Sequence, residues 1–218
     1  MFEGFTPEAV DFLWNLRFNN NKEWFNAHKP EFQTLLQDPF KSLANEVWEA
    51  MRERYPELNL NLHISRIYRD ARRLFGRGPM KDHLWFSLFC AADKDEVIPT
   101  FFFSFEPEGF YYGVGCGSKN MPKYRAAILK DPDSLIPLAE AFARQDHFVM
   151  EGELYARSKG DVGPVLQPWF DHKRLSLCHN GEHGQGDTTA ALKDDILEGF
   201  AFLLPYYRYW LRIAQAAE

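Results

Sequence analysis

Leu84-Trp-Phe-Ser-Leu-Phe-Cys-Ala-Ala-Asp-Lys-Asp-Glu-Val-Ile98-Pro-Thr-Phe-Phe-Phe-Ser-Phe105-Glu-Pro-Glu-Gly109-Phe-Tyr-Tyr-Gly-Val-Gly115 holds three runs of aromatic and β-branched residues separated by short polar breaks. The runs 84–91, 98–105 and 109–115 read as strands, because such side chains suit a pleated, half-buried surface. Asp93-Lys94-Asp95-Glu96 and Glu106-Pro107-Glu108 are too short to contain a crossover helix, so the connections favour antiparallel hairpins. Pro99 belongs at a strand start or edge. A fourth strand is expected over 62–69.

On either side of these strands the apolar period changes to that of a helix. Thr6-Pro7-Glu8 is a helix start with Thr6 at the N-cap, followed by Val10, Leu13, Trp14 and Arg17 on one face, with an end at 19–21. Asn21 can cap a second helix bearing Trp24 and Phe25. Pro39 opens a third, with Phe40, Leu43, Val47 and Met51 at helical spacing. Beyond Gly117, helices are expected at 122–130 and 134–144. An irregular stretch then runs through Asp187, and helices follow at about 188–204 and 205–216, where Pro205 starts a new helix or kinks the old one. Helices segregated around strands make the fold class α+β, with a mostly antiparallel sheet of about four or more strands flanked by N-terminal and C-terminal helices. No linker interrupts residues 1–218, so a single domain is expected.

With 45% apolar and 16% aromatic residues, the 218-residue chain can build a sizeable core. Its apolar runs fall well short of the roughly 18 residues that a membrane span requires, and Met1-Phe-Glu-Gly-Phe-Thr6 lacks the basic and apolar regions of a secretion signal. A cytoplasmic location and no membrane partner are therefore expected. Cys90, Cys116 and Cys178 are odd in number and widely spaced, which points to reduced thiols.

Arg66-Ile-Tyr-Arg69-Asp70-Ala-Arg72-Arg73-Leu-Phe-Gly-Arg77-Gly-Pro-Met-Lys81-Asp82-His83 sets six cations against two anions, while the whole chain has a net charge of −6. So focused a field suits an anion, and guanidinium forks match carboxylate and phosphate geometry. In the strand expected at 62–69, alternation places Arg66 on the more apolar face with Leu62, Ile64 and Tyr68. There it needs a carboxylate such as Asp70 or a ligand. The loop Phe75-Gly76-Arg77-Gly78-Pro79 returns Lys81 and His83 to the arginines. Tyr68, Phe75 and Trp85 interleave with these cations, yet the footprint is too small for a tracked nucleic-acid backbone, and nucleic acid is not the expected partner.

Two other segments carry weaker signals. Gly113-Val-Gly115-Cys-Gly117-Ser118-Lys119 fits neither the P-loop nor the dinucleotide fingerprint. A turn there could still face an anion with Lys119, Lys123 and Arg125, or it could simply be a close-packed strand exit. His179-Asn-Gly-Glu182-His183 spells H-x-x-E-H, but its glycines deny the helix on which that pattern binds zinc, so a polar, mobile loop without metal is expected. No spacing pairs a nucleophile with a base.

Asn19-Asn20 followed by Trp24-Phe25, then Arg66-Ile-Tyr-Arg69-Asp70-Ala-Arg72 with Pro79 and Lys81, and later Gly117 and Arg125, resemble the DUF2461 family of uncharacterised proteins. Weaker similarity runs through Gly160, Pro168 and Lys173. The family pattern has Phe where this chain has Arg73, and an Asp-Lys-Thr-Pro-Tyr-Lys-like run where it has Gly76 to Lys81. The resemblance implies a shared fold and a shared Arg66–Lys81 feature, and no reaction. Together these readings lead to a cleft for a small anionic ligand held by Arg66, Arg69, Arg72 and Lys81, with Arg125 closing it. Asp70 and His83 are acid/base or structural candidates. No catalytic residue, metal site or cofactor is assigned, and the oligomeric state is left open. Two alternatives stand beside this one: an enzyme acting on an anionic substrate in the cleft, and a protein-interaction module in which the Arg-Asp segment is purely structural.

Overall fold

The computed structural model describes residues 1–74, 76–90 and 98–216, with only the backbone at Arg73. Phe75 and the expected connection Asp93–Glu96 lie outside them. The fold is α+β, built on one antiparallel six-stranded sheet. Its strands are β1 (Leu60–Ile64), β2 (Leu84–Cys90), β3 (Thr100–Glu106), β4 (Gly109–Cys116), β5 (Val149–Glu151) and β6 (Leu175–Gly181), in the order β1-β2-β3-β4-β6-β5. The helices are α1 (Pro7–Phe18), α2 (Lys22–Ala27), α3 (Lys29–Phe32), α4 (Asp38–Arg54), α5 (Met121–Lys130), α6 (Ile136–Ala143), α7 (Gln167–Phe170) and α8 (Ala191–Gln215).

The expected hairpin strands appear within a residue or two of their expected limits, and Pro99 immediately precedes β3. Asn21 caps α2 by accepting the Trp24 N–H at 2.9 Å. Thr6 occupies the N-cap of α1 with extended backbone but makes no side-chain capping bond. Three readings need correction. The strand expected at 62–69 ends at Ile64, and Tyr68 makes only an isolated antiparallel bridge to Met80. The stretch expected to be irregular contains β5, α7 and β6, and β6 lies inside the sheet between β4 and β5. The last two helices are one, with Pro205 inside it. Leu203, Leu204, Tyr206 and Tyr207 are all buried around that proline, so packing outweighs the one backbone hydrogen bond it removes.

The chain forms two compact units: Met1–Leu88 with Phe103–Tyr111 and Asn180–Glu198, and Phe89–Phe102 with Tyr112–His179 and Gly199–Glu218. In the first, the apolar stripe of α4 (Phe40, Leu43, Val47, Met51) is buried. Phe40 meets Phe86 and Phe103 at ring distances of 5.9 Å, and Phe5 stacks on Phe105 at 4.1 Å. In the second, Phe101 packs on Phe200 and Tyr207 at 4.8 and 4.5 Å, and Trp169 stacks on Tyr206 at 5.7 Å. Gly113 and Gly199 allow this unit to close. A Cβ on Gly113 would lie 2.0 Å from the Leu177 carbonyl oxygen, and one on Gly199 would lie 2.5 Å from the Tyr112 ring.

Candidate functional site

The basic segment is folded back on itself by main-chain bonds. Arg69 N donates to Pro79 O at 2.8 Å and Lys81 N to Ile67 O at 2.7 Å, which makes a short antiparallel ladder out of Ile67–Arg69 and Pro79–Lys81. Asn20, just past α1, closes the far side: its amide donates to Met80 O at 2.9 Å and accepts from Met80 N at 3.0 Å, as a neighbouring strand would. A Cβ on Gly78 would lie 2.2 Å from the Asn20 side chain, so glycine is required for this approach.

Behind the ladder lies an ion network. Asp82 accepts Arg17 Nε at 2.5 Å, Arg69 Nη2 at 3.4 Å and His83 Nδ1 at 3.2 Å, while Arg17 forks onto both oxygens of Glu108. Burial alone would raise the Asp82 pKa, but the Arg17 and His83 hydrogen bonds and the charge of Arg17 bring it below the usual carboxylate range. Arg69 is therefore a brace: its Nε also donates to Met80 O at 2.9 Å.

In front of the ladder is an open cleft of about 660 Å³ lined by His63, Ser65, Arg66, Tyr68, Arg69, Asp70, Arg72, Arg77 and Lys81. Five of these nine are cationic and one is a carboxylate. Asp70 accepts the Arg72 N–H at 3.0 Å and pairs with the Arg72 guanidinium at 2.9 Å, at the start of a short 3-10 turn over Ala71–Arg73. Lys81 Nζ donates to Arg66 O at 2.6 Å and lies 5.8 Å from the Trp85 ring. Its pKa is lowered, first by burial and then by the charges of Arg69 and Arg66.

The structure thus brings Arg66, Arg69, Arg72, Lys81 and Asp70 to one cleft and adds Arg77, which shares the same basic run. It does not bring Arg125 or His83 among the described lining residues. Arg125 lies in the second unit, over the Tyr155 ring at 5.0 Å, with Nη1 3.4 Å from His172 O. His83 turns to Asp82. Arg66 is exposed, not on the buried face: past Ile64 the buried positions become Ser65 and Ile67, so no internal carboxylate is needed to satisfy it. Asn20, which the sequence offers only as part of the family resemblance, and Arg17, offered only as a position on a helix face, turn out to position the cleft.

A family model described as a conserved hypothetical protein, DUF2461, matches residues 8–209, a span that includes the whole cleft and its supports. The chain belongs to the DUF2461 family. No curated protein matches it.

Outside the cleft, the glycines and histidines singled out in the sequence make packing and hydrogen-bond contacts. In the Gly113–Gly117 run, Gly113 gives β4 room against the Leu177 carbonyl, and a Cβ on Gly115 would lie 2.9 Å from Ser176 Oγ. His179 sits on β6 with its ring stacked 4.0 Å from that of His147. His183 is held by Asp187 at 2.7 Å and by the Glu106 carbonyl at 2.7 Å. Neither His lies on a helix. Among the described residues, no group of three or more His, Cys, Asp or Glu is arranged to hold a metal, and no helix is long and apolar enough to cross a membrane.

Proposed function

We propose that this protein binds a small anion, phosphate or carboxylate, in the cleft between Arg66 and Lys81. One observation carries the reading: among the described residues, five cationic side chains line the cleft against a single carboxylate. Like charges held together repel one another, which is why Arg66 and Arg69 make the ammonium of Lys81 easier to deprotonate. An anion relieves that repulsion and accepts hydrogen bonds from planar guanidinium forks. The Asp82 network behind the ladder supplies rigidity, so the cleft meets its ligand already assembled.

Thermal melting tests the proposal. A ligand that binds only the native state raises the melting temperature by mass action. Millimolar phosphate, sulfate or a dicarboxylate should do so at constant ionic strength, and Arg66→Ala should remove the shift while leaving the melting temperature without anion nearly unchanged. If none of these anions shifts the melting of the unaltered protein, the cleft is not an anion site.

A further inference from the structure

We infer that the ligand of this cleft is a nucleoside di- or triphosphate, its phosphates against Arg66, Arg72, Arg77 and Lys81 and its base against the ring of Tyr68. The inference rests on the anion-binding reading above and narrows it to one chemical class. Two features of the cleft lead to it.

The first is the amount of charge. With five cations and one carboxylate among the described lining residues, a monocarboxylate would leave most of the repulsion in place, whereas a di- or triphosphate carries about three or four negative charges at neutral pH. Several oxygens spaced along a chain can also reach side chains that a single tetrahedral anion cannot reach together.

The second is Tyr68. It is 47% exposed, unusual for so large a ring, and it lines the cleft among the cations. It is also held still: its ring meets Phe25 edge to face at 5.6 Å, and its backbone bridges Met80. A fixed, half-exposed aromatic ring beside a cationic wall is a surface on which a planar base can stack. Such stacking is worth roughly ten- to a hundredfold in affinity. The cleft volume of about 660 Å³ lies within the range of small-molecule and cofactor sites.

Titration calorimetry of the full chain against inorganic phosphate, tripolyphosphate, ADP and ATP at constant ionic strength separates the contributions. ATP should bind at least about tenfold more tightly than tripolyphosphate, since only the former has a base to stack. Tyr68→Ala should remove that advantage and leave tripolyphosphate within about twofold, and Tyr68→Phe should keep it. The wild-type comparison of ATP with tripolyphosphate stands whether or not the variants fold. Equal affinity for the two overturns the nucleotide inference and leaves the anion-binding reading in place, as does binding of dicarboxylates alone. No binding of any anion overturns both.

Discussion

Two aspartates twelve residues apart are expected to respond differently to the same substitution. Asp82 has a side chain only 18% exposed and accepts hydrogen bonds from Arg17, Arg69 and His83. Asp82→Asn keeps one acceptor but removes the charge that two guanidinium groups face. A hydrogen bond to a charged group contributes about 1.5–3 kcal/mol net, and stranding a fully buried charge costs about 3–5. Neither arginine is stranded here, because Arg17 retains Glu108 and Arg69 retains the Met80 carbonyl. The cost therefore falls near 2 kcal/mol, or about 4–8 °C in melting temperature for a chain of this length. Asp70 instead pairs with an Arg72 side chain that is 88% exposed, and an asparagine can still accept the Arg72 N–H. Asp70→Asn should move the denaturation midpoint less than Asp82→Asn does and, by removing the one carboxylate among the described lining residues, should tighten phosphate binding. The two variants also differ in acid. The lowered pKa of Asp82 gives stability that is present above its unfolded value near 3.8 and is lost as pH falls through the lower folded value, so the wild type should lose its advantage over Asp82→Asn as pH falls below about 4. Urea denaturation of both variants at several pH values is the assay. A large loss for Asp70→Asn with none for Asp82→Asn would mean that the network behind the ladder does not hold the cleft.

Gly113→Ala should cost at least about 2–3 kcal/mol, since its Cβ meets the Leu177 backbone carbonyl, which cannot move without disturbing the sheet; a midpoint within error of wild type in urea would refute this. His183 should make the protein less stable at high pH. Burial alone would lower its pKa, but hydrogen bonds to Asp187 and the Glu106 carbonyl and the nearby negative charges raise it, so the stabilisation is complete below the unfolded value near 6.5 and is lost as pH rises through the folded one. His183→Gln should flatten that dependence in melting curves taken across neutral pH.

The parts of the fold that can be read in the sequence are those where local chemistry and tertiary packing agree. Aromatic runs ending at Glu106-Pro107-Glu108 form a hairpin because both the strands and the turn favour it, and β3 and β4 follow directly. β6 could not be read this way. Leu175, Leu177 and Cys178 are buried, but His179, Asn180 and Gly181 close the strand with residues that look like a loop, and the pairing that makes it a strand comes from β4 and β5 far away in sequence. Pro205 misleads in the opposite direction: a breaker by its own chemistry, it is carried within α8 by the buried aromatic residues on either side.

The cleft shows the same division more sharply. The charge count of Arg66 to Lys81 is a property of composition and survives folding. The face assigned to each side chain depends on strand register, and strand alternation holds only as far as Ile64, where β1 ends. Because β1 stops at Ile64 and the buried positions shift to Ser65 and Ile67, Arg66 turns outward and its apparent need for a buried partner disappears. That shift changes the physical meaning of the segment. An inward Arg66 would be a structural charge whose loss unfolds the protein, whereas an outward Arg66 beside Lys81 contributes little to stability and much to the field in the cleft. The two roles within one basic run are thus divided along the chain: Arg69, though it reaches the cleft lining, is tied with Arg17, Asn20 and Asp82 to fix the ladder, while Arg66, Arg72, Arg77 and Lys81 line the space in front of it. If the cleft binds an anion as proposed, a braced back and a like-charged front let stability and ligand affinity be altered separately, which is what the opposite expectations for Asp82→Asn and Asp70→Asn measure.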